Sequence, residues 1–244
     1  QRPPSFTDLL PWMEYLPESK AFLLEDGVSL GALFEVQPVG CEARTPAFMT
    51  QLRDSIQTAI NEAIPEHDDA PWILQIYVQD EPKLTQFDTL LASYPSSKVR
   101  ASEYSQHYHS VMTKHLQAIS RPGGLFDDTT VTGSRWQGQQ RRIRVVLYRR
   151  LKSNGNTPAA IEVEEALNDV ATKWITSLAA AGITAQRANG QTFYQWLLSW
   201  FNPNPPLAEG NPEALLQLAP YPGDDNLPFG YDFAEQLALS MPRS

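Results

Sequence analysis

One cysteine, Cys41, occurs in 244 residues, so an internal disulfide framework is excluded and a reducing compartment such as the cytosol fits. A lone thiol after a strand-like run reads as structural. No apolar run approaches the roughly 18–20 residues needed to span a bilayer, which predicts no direct membrane insertion. Any membrane contact is then expected through partners. Cations are the minority charge, 19 Lys+Arg against 28 Asp+Glu, for a net of −9. The chain as a whole therefore repels phosphates, although a local basic patch remains open.

A phosphate-cradling loop of the form G-x-x-x-x-G-K-[ST] is also missing. Its glycines let backbone N–H groups approach phosphates, its lysine reaches their oxygens, and its hydroxyl holds magnesium. The Gly-rich stretches here are Gly123-Gly124, Gly133 through Gly138, and Asn154-Gly155-Asn156. None runs into Lys-Ser or Lys-Thr, and each reads as a turn. No catalytic or cofactor-binding residue is assigned.

What is present is core material. Hydrophobic residues make up 42% of the chain, with six Trp, as in a folded globular protein of one large or two small domains. Residues 5–16 carry Phe6, Leu9, Leu10, Trp12, Met13 and Leu16 around Pro11, which predicts a docking arm or one short helix. Glu25-Asp26-Gly27 lies between apolar runs and signals a hairpin. Val28, Leu30, Ala32, Phe34 and Val36 then alternate as a strand over 28–37. Thr45-Pro46 supplies an N-cap and a first-turn proline. Phe48, Leu52, Ile56, Ala59, Ile60 and Ala63 form a helical stripe before a second strand around Trp72, Leu74, Ile76 and Val78.

The same order returns later. Ile143, Val145 and Leu147 alternate in a strand over 142–150, and Thr157-Pro158 repeats the capping signal. Val163, Leu167, Val170, Trp174 and Leu178 mark an amphipathic helix. Gly182 ends that helix, and 183–188 can close as a short strand. Two strand–helix–strand units predict an α+β fold with a ferredoxin-like split βαβ core. Between them, helices are expected at 83–94 and 98–119, then an exposed loop or irregular hairpin at 121–139. A helix at 191–201 precedes 202–230, where seven of the twenty prolines fall. That density predicts an extended segment without helix, then a last helix at 231–240. The organisation reads as an arm at 1–20, an α+β domain at 21–201, and a proline-rich C-terminal segment with the last helix at 202–244.

Three constellations invite chemistry. His107, His109 and His115 share one predicted helix, but their offsets miss the i, i+4 spacing of helical zinc sites, so they read as solvated and no metal ligand is assigned. Paired carboxylates at Asp68-Asp69, Asp127-Asp128, Glu164-Glu165 and Asp224-Asp225 have no matching His or Ser and read as acidic surface. Five arginines fall within 141–150. On a strand Arg142, Arg144 and Arg150 share the polar face, a candidate contact for single-stranded nucleic acid. The competing reading pairs them with carboxylates and uses them to block edge pairing. Finally, Phe193, Trp196, Leu197 and Trp200 follow i, i+3, i+4, i+7, with Phe201 beside them. Such a helix is buried or docks a partner, which makes Trp196, Trp200 and Phe201 the candidate partner interface.

The running sequence from Pro3-Pro4-Ser5-Phe6-Thr7-Asp8-Leu9-Leu10-Pro11-Trp12 through Tyr15-Leu16-Pro17-Glu18-Ser19 and Ala21–Val36 resembles the start of conjugative-transfer ATPases of bacterial type IV secretion systems. The likeness is to the TraC-like branch found on integrating conjugative elements. It continues more loosely to Phe229-Gly230-Tyr231-Asp232-Phe233-Ala234-Glu235-Gln236-Leu237. The resemblance implies an N-terminal docking and assembly domain, with ATP and magnesium held by a motor domain beyond Ser244. It implies inner-membrane channel components as partners, possible self-association, and a place at the cytoplasmic face of the bacterial inner membrane. The alternative is a single-stranded nucleic-acid-binding module that uses the 141–150 arginines.

Overall fold

Thr45 and Pro46 start the first helix as their chemistry predicts. The Thr45 hydroxyl accepts from the Phe48 amide at 3.3 Å, and proline at the first turn sacrifices no intrahelical hydrogen bond. In the computed structural model of the chain the described residues are 10–66, 70–81, 84–121, 123, 126–128, 130, 133–151, 159–202, 208 and 212–221. They divide into two compact units, one within Gln1–Ile76 and Arg144–Ser244, the other within Tyr77–Ile143.

The first unit is built on strands β1 (Trp12–Leu16), β2 (Ala21–Leu24), β3 (Leu30–Gln37) and β8 (Thr184–Arg187). Helices α1 (Pro46–Ala63), α5 (Ala160–Ala180), α6 (Gly190–Phe201) and α7 (Pro212–Leu218) complete it. Strands β4 (Trp72–Glu81) and β7 (Gln140–Arg149) cross the boundary between the units. The sheet runs β1-β2-β3-β7-β4, with β8 also paired to β3. In β3-α1-β4 the strand β7 lies between the two ends of the crossover. In β7-α5-β8 the strand β3 does. That is the ferredoxin-like split βαβ arrangement within an α+β fold, with a β1–β2 hairpin added.

Every position of β7 from Arg144 to Tyr148 is buried, so both faces of the sheet are covered there. Strand side chains alternate, placing Arg144, Val146 and Tyr148 on one face and Val145 and Leu147 on the other. Helix α6 covers the first face. Helices α1 and α5 pack on each other, and α5 packs on β3 and β8, forming the opposite layer. The α5 stripe Val163, Leu167, Val170, Trp174 and Leu178 is fully buried. On α1 only Ala59 and Ala63 are, and Phe48, Leu52, Ile56 and Ile60 are half-buried.

Three segments differ from the sequence expectation. Trp12–Leu16 is neither arm nor helix but strand β1, paired antiparallel with β2, because Trp12 and Tyr15 reach the core. The helix expected at 98–119 is broken into α3 (Ser97–Arg100) and α4 (Glu103–Ser120). Ser102 intervenes, its hydroxyl accepting from the Ser105 amide at 3.2 Å as a new N-cap. Helix α7 forms inside the proline-rich stretch, since Pro212 stands at its first position and no proline follows until Pro220. Its Leu215 is buried. Helix α5 starts from Ala159, while the Thr157-Pro158 signal and the last expected helix at 231–240 lie outside the described residues. The second unit also holds α2 (Thr85–Ser93) and a hairpin of β5 (Phe126–Asp128) with β6 (Ser134–Trp136).

The β2–β3 turn carries an acid-sensitive latch. Gly27 takes φ +71°, open to a residue without a β-carbon. Asp26 accepts from the Val28 amide at 3.0 Å and the Ser29 amide at 2.7 Å, and from the Ser29 hydroxyl. Ser29, fully buried, in turn accepts from the Leu151 amide at 2.9 Å. Burial pushes the Asp26 carboxyl up, but the Ser29 and Val28 donors with Arg150 outweigh it and hold the group below its ordinary 3.8. A depressed carboxylate contributes stability above the unfolded value and loses it as pH falls through the folded one. Asp26→Asn is therefore expected to be less stable than the parent at neutral pH, with the difference closing below pH 3.8. Urea unfolding across that range reads it. A pH-independent difference would show that the charge does not contribute.

Candidate partner interface

Eight aromatic rings run from the core of the first unit to its surface. Trp12 meets Phe22, Tyr148 and Phe193 edge-on, at centroid distances of 6.0, 5.8 and 5.4 Å. Tyr15 lies 4.9 Å from Phe22, and Phe22 lies 4.6 Å from Phe193. Phe193 leads to Trp196 at 5.9 Å, Trp196 stacks on Trp200 at 5.3 Å, and Trp200 stacks on Phe201 at 6.3 Å. The α6 spacing produces this order. Asn189 caps the helix by accepting from the Thr192 amide at 2.9 Å, and successive turns bring Phe193, Trp196 and Trp200 to one side. Trp196 is 6% exposed and Trp200 46%, with Phe201 between them in exposure. The three residues of the candidate interface are thus brought together, and Trp200 is the most exposed of them.

Each candidate arginine has a carboxylate beside it. In the second unit Arg142 lies 3.2 Å from Glu81, next to Arg141, which bonds Asp80 at 2.9 Å. The Arg141 hydrogen bond holds the Asp80 carboxyl below its usual value. In the first unit Arg150 lies 2.6 Å from Glu25. Arg149 donates to the Ala70 carbonyl at 3.2 Å and sits over Trp72. Arg144 departs most from the sequence expectation of a polar face. It is 8% exposed, because α6 covers that face. Its guanidinium lies 5.2 Å from the Trp196 ring and 3.7 Å from Glu35, a cation–π contact that joins β7 to the base of the aromatic ladder.

Arg187 is a further half-buried cation that strand periodicity does not reveal. It donates to Asn168 at 2.6 Å, and burial pushes its guanidinium below the usual value against the pull of Tyr15 and Glu164. An open groove of about 770 Å³ lies between α1 and α5, lined by Thr50, Asp54, Thr58, Glu62, Thr176 and Ser177 among others. Of the three helical histidines, His109 lies 3.3 Å from Asp88 on α2, while His107 and His115 are exposed. Among the described residues no three His, Cys, Asp or Glu side chains stand together so as to hold a metal ion. No helix among them is long and apolar enough to cross a membrane.

A family model described as TraC protein matches residues 6–244, and the chain belongs to that family. This places it in conjugative transfer by type IV secretion. Neither a curated protein nor a solved structure matches.

Proposed function

We propose that this TraC-family chain is a non-catalytic docking and assembly domain of a conjugative-transfer ATPase. On this reading it attaches the motor to inner-membrane components of the channel while DNA is transferred. The ATP-hydrolysing loop, with its ATP and magnesium, belongs to a motor domain outside this sequence. The observation that carries the reading is the α6 ladder: a deeply anchored aromatic stack whose most exposed ring, Trp200, is presented to solvent. Large aromatic rings held rigid by their neighbours lose little entropy on binding and are enriched among residues that dominate interface energies.

Trp200→Ala is expected to weaken binding of purified channel components at least about tenfold. The melting temperature should stay close to that of the parent, because the ring lies outside the packed core. Pull-down against the purified inner-membrane components, run beside thermal melts, reads both quantities. Unchanged binding by a folded variant removes α6 as the docking site.

A further inference from the structure

The second unit differs in charge from the rest of the chain. Residues 77–143 hold eight Lys+Arg against six Asp+Glu, a net of +2, whereas the remainder carries −11 of the total −9. Four of those carboxylates are already engaged. Asp80, Glu81 and Asp127 pair with Arg141, Arg142 and Arg135, and Asp88 accepts from Thr113 and faces His109. Lys98, Arg100, Lys114 and Arg121 are exposed and have no ion pair among the described residues. These four cations lie on α3, on α4 and just past its end, where Glu103 in the first turn of α4 is the opposing carboxylate.

Helix α4 arranges aromatics beside those cations. Tyr104 is 81% exposed, and Tyr108 and Val111 are half exposed, at i, i+4 and i+7 on one row. Glu103, His107 and Lys114 occupy the adjoining row, and Arg121 follows the last turn. His109, Thr113 and Leu116 fall on the opposite side, where His109 and Thr113 meet Asp88 of α2 and Leu116 is buried. The tyrosine row is consequently the outward face of the helix, and α3, with Lys98 and Arg100, contacts α4.

We propose that this face of α4, with the α3 cations, binds single-stranded DNA. Exposed rings flanked by unpaired cations are the elements of single-strand recognition, in which bases stack on the rings and phosphates meet the charges. Tyr104 and Tyr108 stand about 6 Å apart along the helix axis. That exceeds the roughly 3.4 Å rise per base along one strand of a duplex, so the spacing suits an extended strand with separated bases. An anionic lipid surface fits less well. Interfacial helices insert Trp, Phe or Leu, whereas the exposed apolar residues of α4 are two tyrosines and a valine.

The test uses the full chain and a short fluorescein-labelled oligothymidine, read by anisotropy at about 50 mM and about 200 mM salt. Binding should weaken with salt and exceed that of a duplex of equal length at least about tenfold. Tyr104→Ala with Tyr108→Ala should lose at least about tenfold in affinity, and Tyr→Phe at both positions should retain it, since stacking needs the ring and not the hydroxyl. Lys114→Glu with Arg121→Glu should weaken binding and flatten the salt slope by about 1.4, two phosphate contacts of a single strand. Circular dichroism keeps loss of binding distinct from loss of fold, and the Lys114/Arg121 variant reads the face even if the alanine pair misfolds. Failure of the oligothymidine to bind, equal duplex binding, or folded variants that bind like the parent would each overturn the proposal. So would binding to phosphatidylglycerol vesicles without DNA binding. Trp200→Ala should leave DNA affinity unchanged, so the docking reading and this one fail separately.

Discussion

Phe193→Ala is expected to destabilise the first unit by about 4 kcal/mol, the middle of the range for emptying a fully buried phenylalanine site. The ring is 1% exposed and touches Trp12, Phe22 and Trp196 at once. Its loss removes burial and also three aromatic contacts, each worth up to about 1.5 kcal/mol beyond area alone. The neighbours cannot close the gap cheaply, because Trp12 is fixed by Tyr148 and Phe22 from other directions. For a chain of this size the melting temperature should fall by about 10 °C. Calorimetry is the suitable reading, since two compact units need not melt as one transition. A fall below about 1 kcal/mol would mean that Phe193 is not part of a packed core. The contrast with Trp200→Ala is the informative part. Both rings lie on one face of α6, yet one is expected to report stability and the other partner binding.

The sequence shows the elements whose signal is local. Val163, Leu167, Val170, Trp174 and Leu178 repeat at helical spacing, and all five are buried on α5. Thr45-Pro46 and Gly182 mark helix ends through backbone chemistry, and Gly182 has φ +77°, as a residue closing a helix often does. Strand β1 is hidden for an equally local reason. Its register shifts between Trp12 and Glu14, and such a bulge breaks the two-residue alternation. Trp12 and Tyr15 then face the core at a spacing of three, which imitates one helical turn.

The candidate site is only half legible. The rings of α6 can be read from their spacing, but which of them water reaches depends on where the rest of the first unit ends. Arg144 looks like part of a polar strand face, yet the cover that α6 lays over it comes from residues some fifty positions later in the chain. The α4 face escapes for a different reason. Its tyrosines and cations belong to separate rows, and only the break at Ser102, with Asp88 fixing which side turns inward, makes the tyrosine row an outward one.

The other large effect is expected at Gly31, where β3 passes under the aromatic cluster. A β-carbon there would stand 2.8 Å from Cζ3 of Trp12 and 2.9 Å from Cβ of Tyr148. Cross-strand β-carbons ordinarily sit about 4.5–5.5 Å apart, so the second contact opposes the approach of β3 to β7 itself. A flexible side chain could swing aside. Cβ of Tyr148 cannot, because it is fixed to the strand backbone, and Trp12 is held by three neighbouring rings. Glycine in a strand interior is normally a weakness, and it persists where another backbone comes close. Gly31→Ala should therefore cost about 2–3 kcal/mol through overpacking, and Gly31→Val more. If the Trp12 contact carries much of this, Gly31→Ala added to Trp12→Ala should cost less than the sum of the two single changes, a coupling of about 1 kcal/mol or more. Strict additivity would assign the whole cost to Tyr148 and the β3–β7 spacing. A neutral Gly31→Ala would mean that the strands separate freely here, and that the ring cluster leading to Trp200 rests on a softer floor than its geometry implies.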